Sequence, residues 1–262
     1  MTFTRGTMST SSGQYMMLQS NNDQAGNSSF KPNHHDGFIQ NESNVGNDFH
    51  YAWKESATFH RMIYTGNGAN YQMINHNLGS VPTMMWAKSL THSDKWIVYH
   101  KYLVNSSGTN AADKYIELND YSGISNSSNR WYAMPTASYF AIGSANETNK
   151  SGSTFQILLF TDGAGVSKIG RYDGSDSAQT LTLGFKPRFF LVRCISEGDH
   201  WYVVDTTRGW GSGNDTYCGF NYNSPDASDA DFGTPVATGI DLPGNSIKCN
   251  KAGRTFIYYA HA

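Results

Sequence analysis

Internal self-similarity constrains this chain more than any other feature. Tyr64-Thr65-Gly66, Leu78-Gly79-Ser80-Val81-Pro82 and Trp96-Ile97-Val98-Tyr99 are followed, about a hundred residues on, by Tyr172-Asp173-Gly174, Leu183-Gly184-Phe185-Lys186-Pro187 and Trp201-Tyr202-Val203-Val204. A stricter spacing joins Gly143, Gly152 and Phe155 to Gly244, Gly253 and Phe256, and again to Gly37, Gly46 and Phe49. Each Phe opens an apolar or alternating run. A period of this length indicates tandem units that each bury a share of a core. Thr4-Arg5-Gly6 matches Thr207-Arg208-Gly209, so the first stretch reads as the later half of a unit. The expected domains are 1–160, which includes a half-repeat at 1–54, and 161–262. The half-repeat is expected to complete a domain within the chain, with contact between subunits as the alternative.

The units read as all-β. Thr83–Lys88, Trp96–His100, Lys114–Leu118, Thr154–Phe160, Arg188–Arg193 and His200–Asp205 are short runs, most of them rich in β-branched and aromatic residues. Gly66-Asn67-Gly68, Asn105-Ser106-Ser107-Gly108, Asn126-Ser127-Ser128-Asn129 and Ser212-Gly213-Asn214-Asp215 supply turn chemistry between them. Ser56–Ile63 comes nearest to a helical period, and it spans only a turn or two. The expected fold is a tandem of β-sandwich, jelly-roll-like repeats with little helix. Leu-Gly-x-x-Pro, at Leu78–Pro82 and Leu183–Pro187, reads as a corner leading into an apolar strand. Trp96 and Trp201 read as core anchors.

Composition supports a folded chain and excludes several partners. Hydrophobic residues are 38% and charged residues 15%, both low for a globular domain, but 14% of the residues are aromatic, which is ample material to bury. A net charge of −2 provides no basic field for nucleic acid. No signal peptide is visible at the N-terminus, and the longest apolar run, Phe155–Phe160, is far too short to span a bilayer, so no membrane insertion is expected. Cys194, Cys218 and Cys249 are odd in number and form no C-x-x-C pair, so they read as buried free thiols.

Catalytic signatures are missing. The chain has no G-x-S-x-G, no phosphate-binding loop and no H-E-x-x-H. His34-His35-Asp36 offers metal-type side chains in what reads as an exposed loop. Asp226, Asp229 and Asp231 cluster in a Pro/Ser/Ala-rich segment without the ligand spacing of an EF-hand; a solvated loop is the simpler reading and a weak Ca²⁺ site the sharper one. Trp131, Trp210, Tyr217 and Tyr222 lie among loop-type residues. They either pin their loops or offer faces on which a pyranose could stack. No catalytic, cofactor-binding or metal-binding residue is assigned, no cofactor is expected, and the chain reads as no enzyme.

Leu78–Lys88, Trp96–Lys101, Gly184–Arg193 and Asp205-Thr206-Thr207-Arg208-Gly209 resemble a repeat domain of tail-fibre-like and other virion structural proteins of marine bacteriophages, cyanophages among them. Asn149–Phe155 and Asn250–Phe256 are similar to that family's closing strand. The resemblance runs from about Tyr64 to Ala262 and is fainter over 1–54. It implies a virion structural protein made in the host cytoplasm, either a tail fibre or appendage or a capsid-decorating component. The expected partners are other virion proteins and further copies of the chain, with host-surface glycans as a candidate ligand. The chain lacks the long shaft of a full fibre. The alternatives are a carbohydrate-binding module and a β-sandwich polysaccharide depolymerase.

Overall fold

The computed structural model describes residues 53–103, 112–221 and 226–262 with their side chains, and of residues 1–52 the backbone of five strands. Those five are β1 (Thr2–Gly6), β2 (Tyr15–Leu18), β3 (Phe30–His34), β4 (Gly37–Gln40) and β5 (Phe49–Ala52). They pair as β2-β1-β5 and as the hairpin β3-β4. The side chains of His34-His35-Asp36 and of the rest of the leading segment lie outside the described residues, as does Tyr222.

Next come β6 (Phe59–Thr65), β7 (Gln72–Asn75), β8 (Met84–Ser89), β9 (Ile97–His100), β10 (Lys114–Glu117), β11 (Ser125–Asn126), β12 (Trp131–Ala133), β13 (Tyr139–Ile142), the single turn α1 (Asn146–Asn149) and β14 (Thr154–Phe160). They form a large sheet, β11-β10-β9-β8-β14-β6, and a small one, β12-β13-β7. The remainder is β15 (Ser167–Asp173), β16 (Gln179–Thr182), β17 (Phe189–Cys194), β18 (Tyr202–Asp205), β19 (Asp215–Gly219), β20 (Ala227–Ala230), β21 (Thr234–Val236), β22 (Gly239–Leu242) and β23 (Thr255–His261). These again give a large sheet, β15-β23-β17-β18-β19-β20, and a small one, β16-β22-β21. The chain is therefore an all-β sandwich architecture, antiparallel at each strand pairing described. Among the described residues no helix is long and apolar enough to cross a membrane.

Side-chain alternation shows how the layers stack. On β17, Phe189 and Leu191 enter one core while Phe190, Val192 and Cys194 enter another; on β23, Ile257 and Tyr259 divide from Phe256, Tyr258 and Ala260 in the same way. The first of these cores also holds Trp86, Val98, Ile116 and Phe160 of the preceding large sheet. The two large sheets thus face each other, and each small sheet caps an outer side. Both faces of a central strand are buried, which is why these strands read as unbroken apolar runs. Trp53 sits at this junction, with its ring edge-on to Phe189 at 5.6 Å and its indole N–H donated to the Tyr259 hydroxyl at 2.9 Å.

The two sets of strands share their fastening. Tyr64 donates to the carbonyl of Thr148 and stacks on Phe155 at 5.2 Å; Tyr172 donates to the carbonyl of Cys249 and stacks on Phe256 at 5.2 Å. The buried amides of Asn149 and Asn250 each tie a loop, accepting from the N–H of Asn67 and of Ser175 at 2.8 Å. Gly79 and Gly184 both adopt positive φ, 77° and 86°, as the Leu-Gly-x-x-Pro corners require.

Candidate functional site

The aromatic residues considered for sugar stacking are taken up by the core. Trp131 is 0% exposed, lies in β12 and meets Tyr99 edge-on at 6.0 Å. Trp210 is 4% exposed, stacks on Phe190 at 5.7 Å and donates its indole N–H to the carbonyl of Gly233 at 2.7 Å. Tyr217 is buried in β19 and donates to Asp229 at 2.6 Å. None of the three offers a ring face to solvent, because each fills the gap between a large sheet and its small one. Their polar flanks in the sequence belong to the strand ends and turns around them.

The acidic cluster is dispersed among structural partners. Asp226 accepts from Arg208 at 3.3 Å, Asp229 from Tyr217 and from Lys248 at 3.5 Å, and Asp231 from the N–H of Gly233 at 2.7 Å. The Tyr217 hydroxyl and the Lys248 ammonium hold the Asp229 carboxyl below the usual range. Among the described residues no three His, Cys, Asp or Glu side chains stand close enough to hold a metal ion. Arg208 is buried and bonded through Nε to Asp205 at 2.5 Å, while Asp205 also caps the turn by accepting from the N–H of Arg208. The Asp-Thr-Thr-Arg-Gly stretch is thus a turn fastener. Cys194, Cys218 and Cys249 are free and buried.

Two basic side chains occupy the seam between the large sheets. Arg193 is wholly buried on β17; it donates to the carbonyls of Glu117, at 2.7 Å, and Ser122, and lies over the Trp201 ring at 5.2 Å. The Trp201 indole donates to the same Glu117 carbonyl at 2.9 Å. Burial lowers the Arg193 pKa to about 10, opposed by the Asp199, Asp120 and Glu117 carboxylates. His100 is also wholly buried, and desolvation lowers its pKa to about 3, so it is neutral in the fold.

The outward face of the first small sheet is the feature that sequence reasoning missed. Tyr71, the residue before β7, is 47% exposed, Met73 51% and Tyr132 51%, and the two tyrosine rings meet edge to face at 4.9 Å. Tyr132 is the extra residue of a β-bulge: Trp131 pairs with Ile142 and Ala133 with Ala141, leaving Tyr132 without an opposite number. Met73 pairs with Ala141, and Asn75, exposed at the end of β7, pairs with Tyr139. In the second small sheet the positions that match Met73 and Tyr132 carry polar residues, and the position that matches Tyr71 carries Ala178. Thr180 pairs with Asp241, which pairs with Thr234, and β21 follows β22 residue for residue without a bulge. The one available sequence signal was the aromatic pair Trp131-Tyr132, in which strand alternation turns one ring inward and the other outward.

No curated protein and no solved structure matches the chain. A family model does, that of the domain of unknown function DUF7483, over residues 50–262. The match begins just before Trp53, at the junction of the paired large sheets, and takes in both large sheets, both small ones and the tyrosine-bearing bulge. The chain belongs to the DUF7483 family.

Proposed function

We propose that this chain is a non-enzymatic structural protein of a bacteriophage particle, a tail fibre or appendage or a capsid-decorating component, built from two duplicated β-sandwich units. It works in the company of other virion proteins and further copies of itself, with host-surface glycans as its external ligand. The observation that carries this reading is where the chemically capable side chains are spent. Asp226, Asp229, Asp231, Asp205, Arg208 and Arg193 brace turns and the seam between sheets, whereas the tyrosines of one small sheet are offered outward. A scaffold braced in this way suits load-bearing and contact. The matched Tyr–Phe stacks and Asn-tied loops of the two halves support the duplication. The sequence resemblance supplies the setting.

The test is an inventory of purified particles by mass spectrometry and cryo-electron microscopy, with light scattering on the isolated protein. The chain should be found at a fixed stoichiometry on the particle and should associate in solution. Its absence from particles, or release of reducing ends from host polysaccharide by the purified protein, would overturn the reading.

A further inference from the structure

The geometry points to the outward face of β12-β13-β7 as a saccharide-binding site, with the rings of Tyr71 and Tyr132 as the platform for a neutral pyranose. This deepens the proposed glycan contact by giving it a location and a ligand class, and it rests on that reading.

Three observations carry the inference. First, the exposed rings are not needed to fold the sheet. The second small sheet pairs β16 with β22 in the unshifted register of β7 with β13 and carries Thr180, Asp241 and Thr234 on its outward side, so a polar face also serves that layer. Half-exposed tyrosines and a methionine at the matching place have a cost in hydration without a return in core packing. Second, a bulge at Tyr132 re-aims that side chain, and the corresponding strand β21 has none. Bulges recur where a strand must present a side chain. Third, the chemistry of the face fits a sugar. In an edge-to-face pair, the ring that offers its edge keeps both of its own faces clear of its partner, and Tyr71 and Tyr132 stand at 71°. A pyranose presents an apolar C–H face to such a ring and hydroxyls to polar groups around it, and Asn75 is exposed further along β7. Arg130, the residue before β12, is already paired with Glu147 and laid over the Tyr115 ring at 4.1 Å, so it is not held out toward an anionic ligand.

Size separates this occupant from a second copy of the chain. Tyr71, Met73 and Tyr132, each about half exposed, present together roughly 300 Å². A stable protein interface needs about 800 Å² from each partner, of which a little over half, roughly 450 Å², is apolar, more than these three side chains present. One or two sugar rings match the smaller area.

The experiment is saturation-transfer and chemical-shift NMR on the full chain, with the methyl glycosides of glucose, galactose and N-acetylglucosamine as probes. Wild type, Tyr132→Ala, Tyr71→Ala and the second-sheet control Thr180→Ala are compared, with thermal melts to verify folding. At least one glycoside should bind saturably and shift Met73 and the two tyrosines. Its affinity should fall roughly tenfold in either tyrosine variant and hold in the control. No saturable binding by any probe, or binding unchanged in both tyrosine variants, would overturn the inference. So would self-association that the tyrosine variants abolish, since a second copy would then own the face. The particle inventory is independent of this result: sugar binding by a protein absent from particles would sink the virion reading alone, and an inert face on a confirmed virion protein would sink this site alone.

Discussion

Arg193 on β17 donates a hydrogen bond of 2.7 Å to the backbone carbonyl of Glu117 on β10, so a wholly buried guanidinium from one large sheet is held by the main chain of the other. Its second bond, to the carbonyl of Ser122, draws the loop after β10 onto the same side chain. Arginine suits the place because its planar fork reaches two carbonyls at once.

Arg193→Ala therefore removes two charge-assisted bonds and opens a void at the seam, and is expected to cost about 3 kcal/mol in urea unfolding. Arg193→Lys, with one compact donor group, should fall between it and wild type. Hydrogen exchange should speed up at Ser122 and its neighbours in both variants. An unchanged exchange pattern in Arg193→Ala would refute the clasp.

The neutral, buried His100 sets a pH dependence. Its pKa is about 3 in the fold against ~6.5 when unfolded, so between those values the unfolded chain holds more protons and stability rises with pH. The contribution is complete above the unfolded value and is lost as pH falls toward the folded one. Lowering pH from 7 to 5 should remove about 2 kcal/mol through this residue. In His100→Leu the same titration of unfolding free energy should be visibly flatter. Burial also lowers the His76 pKa, and it acts in the same direction.

The three thiols should be silent in the native protein. Cys249, pushed up to about 12 by burial, carries almost no thiolate at neutral or mildly alkaline pH, and all three cysteines are buried. Ellman's reagent at pH 8 should titrate none promptly, and all three after denaturation. A fast-reacting native thiol would contradict the packing.

Trp210→Ala and Trp131→Ala should act on stability and not on ligand binding. Each ring fills the space between a large and a small sheet, so each loss should cost about 3–5 kcal/mol and lower the melting temperature sharply. A Trp variant of wild-type stability would refute these placements.

Two glycine substitutions separate backbone strain from crowding. At Gly184 a Cβ would meet open space, so Gly184→Ala should cost only the ~1 kcal/mol of a positive φ. At Gly174 a Cβ would stand 2.2 Å from the carbonyl oxygen of Lys251. Gly174→Ala should cost about 3 kcal/mol, because two backbones must part. Chemical denaturation of the pair should preserve this order.

The sequence by itself determined the central strands of the large sheets, β8, β9, β10, β14, β17 and β18, the Leu-Gly-x-x-Pro corners and the core role of Trp96 and Trp201, whereas Ser56–Ile63, the stretch nearest to a helical period, lies largely in the edge strand β6. Thr154–Phe160 was delimited to the residue, because a strand buried on both faces leaves a continuous apolar run bounded by turns. The small sheets were less legible. Strands such as Gln72–Asn75 and Gln179–Thr182 are four residues long, bury only one face and carry too little pattern to stand out. Only the tertiary structure decided that the large sheets pack on each other, that Arg193 is spent between them, and that of two adjacent aromatics Trp131 turns inward while Tyr132 rides a bulge to the surface. Periodicity along a chain reports how many faces of a strand are buried; what covers each face is settled by elements far away in sequence.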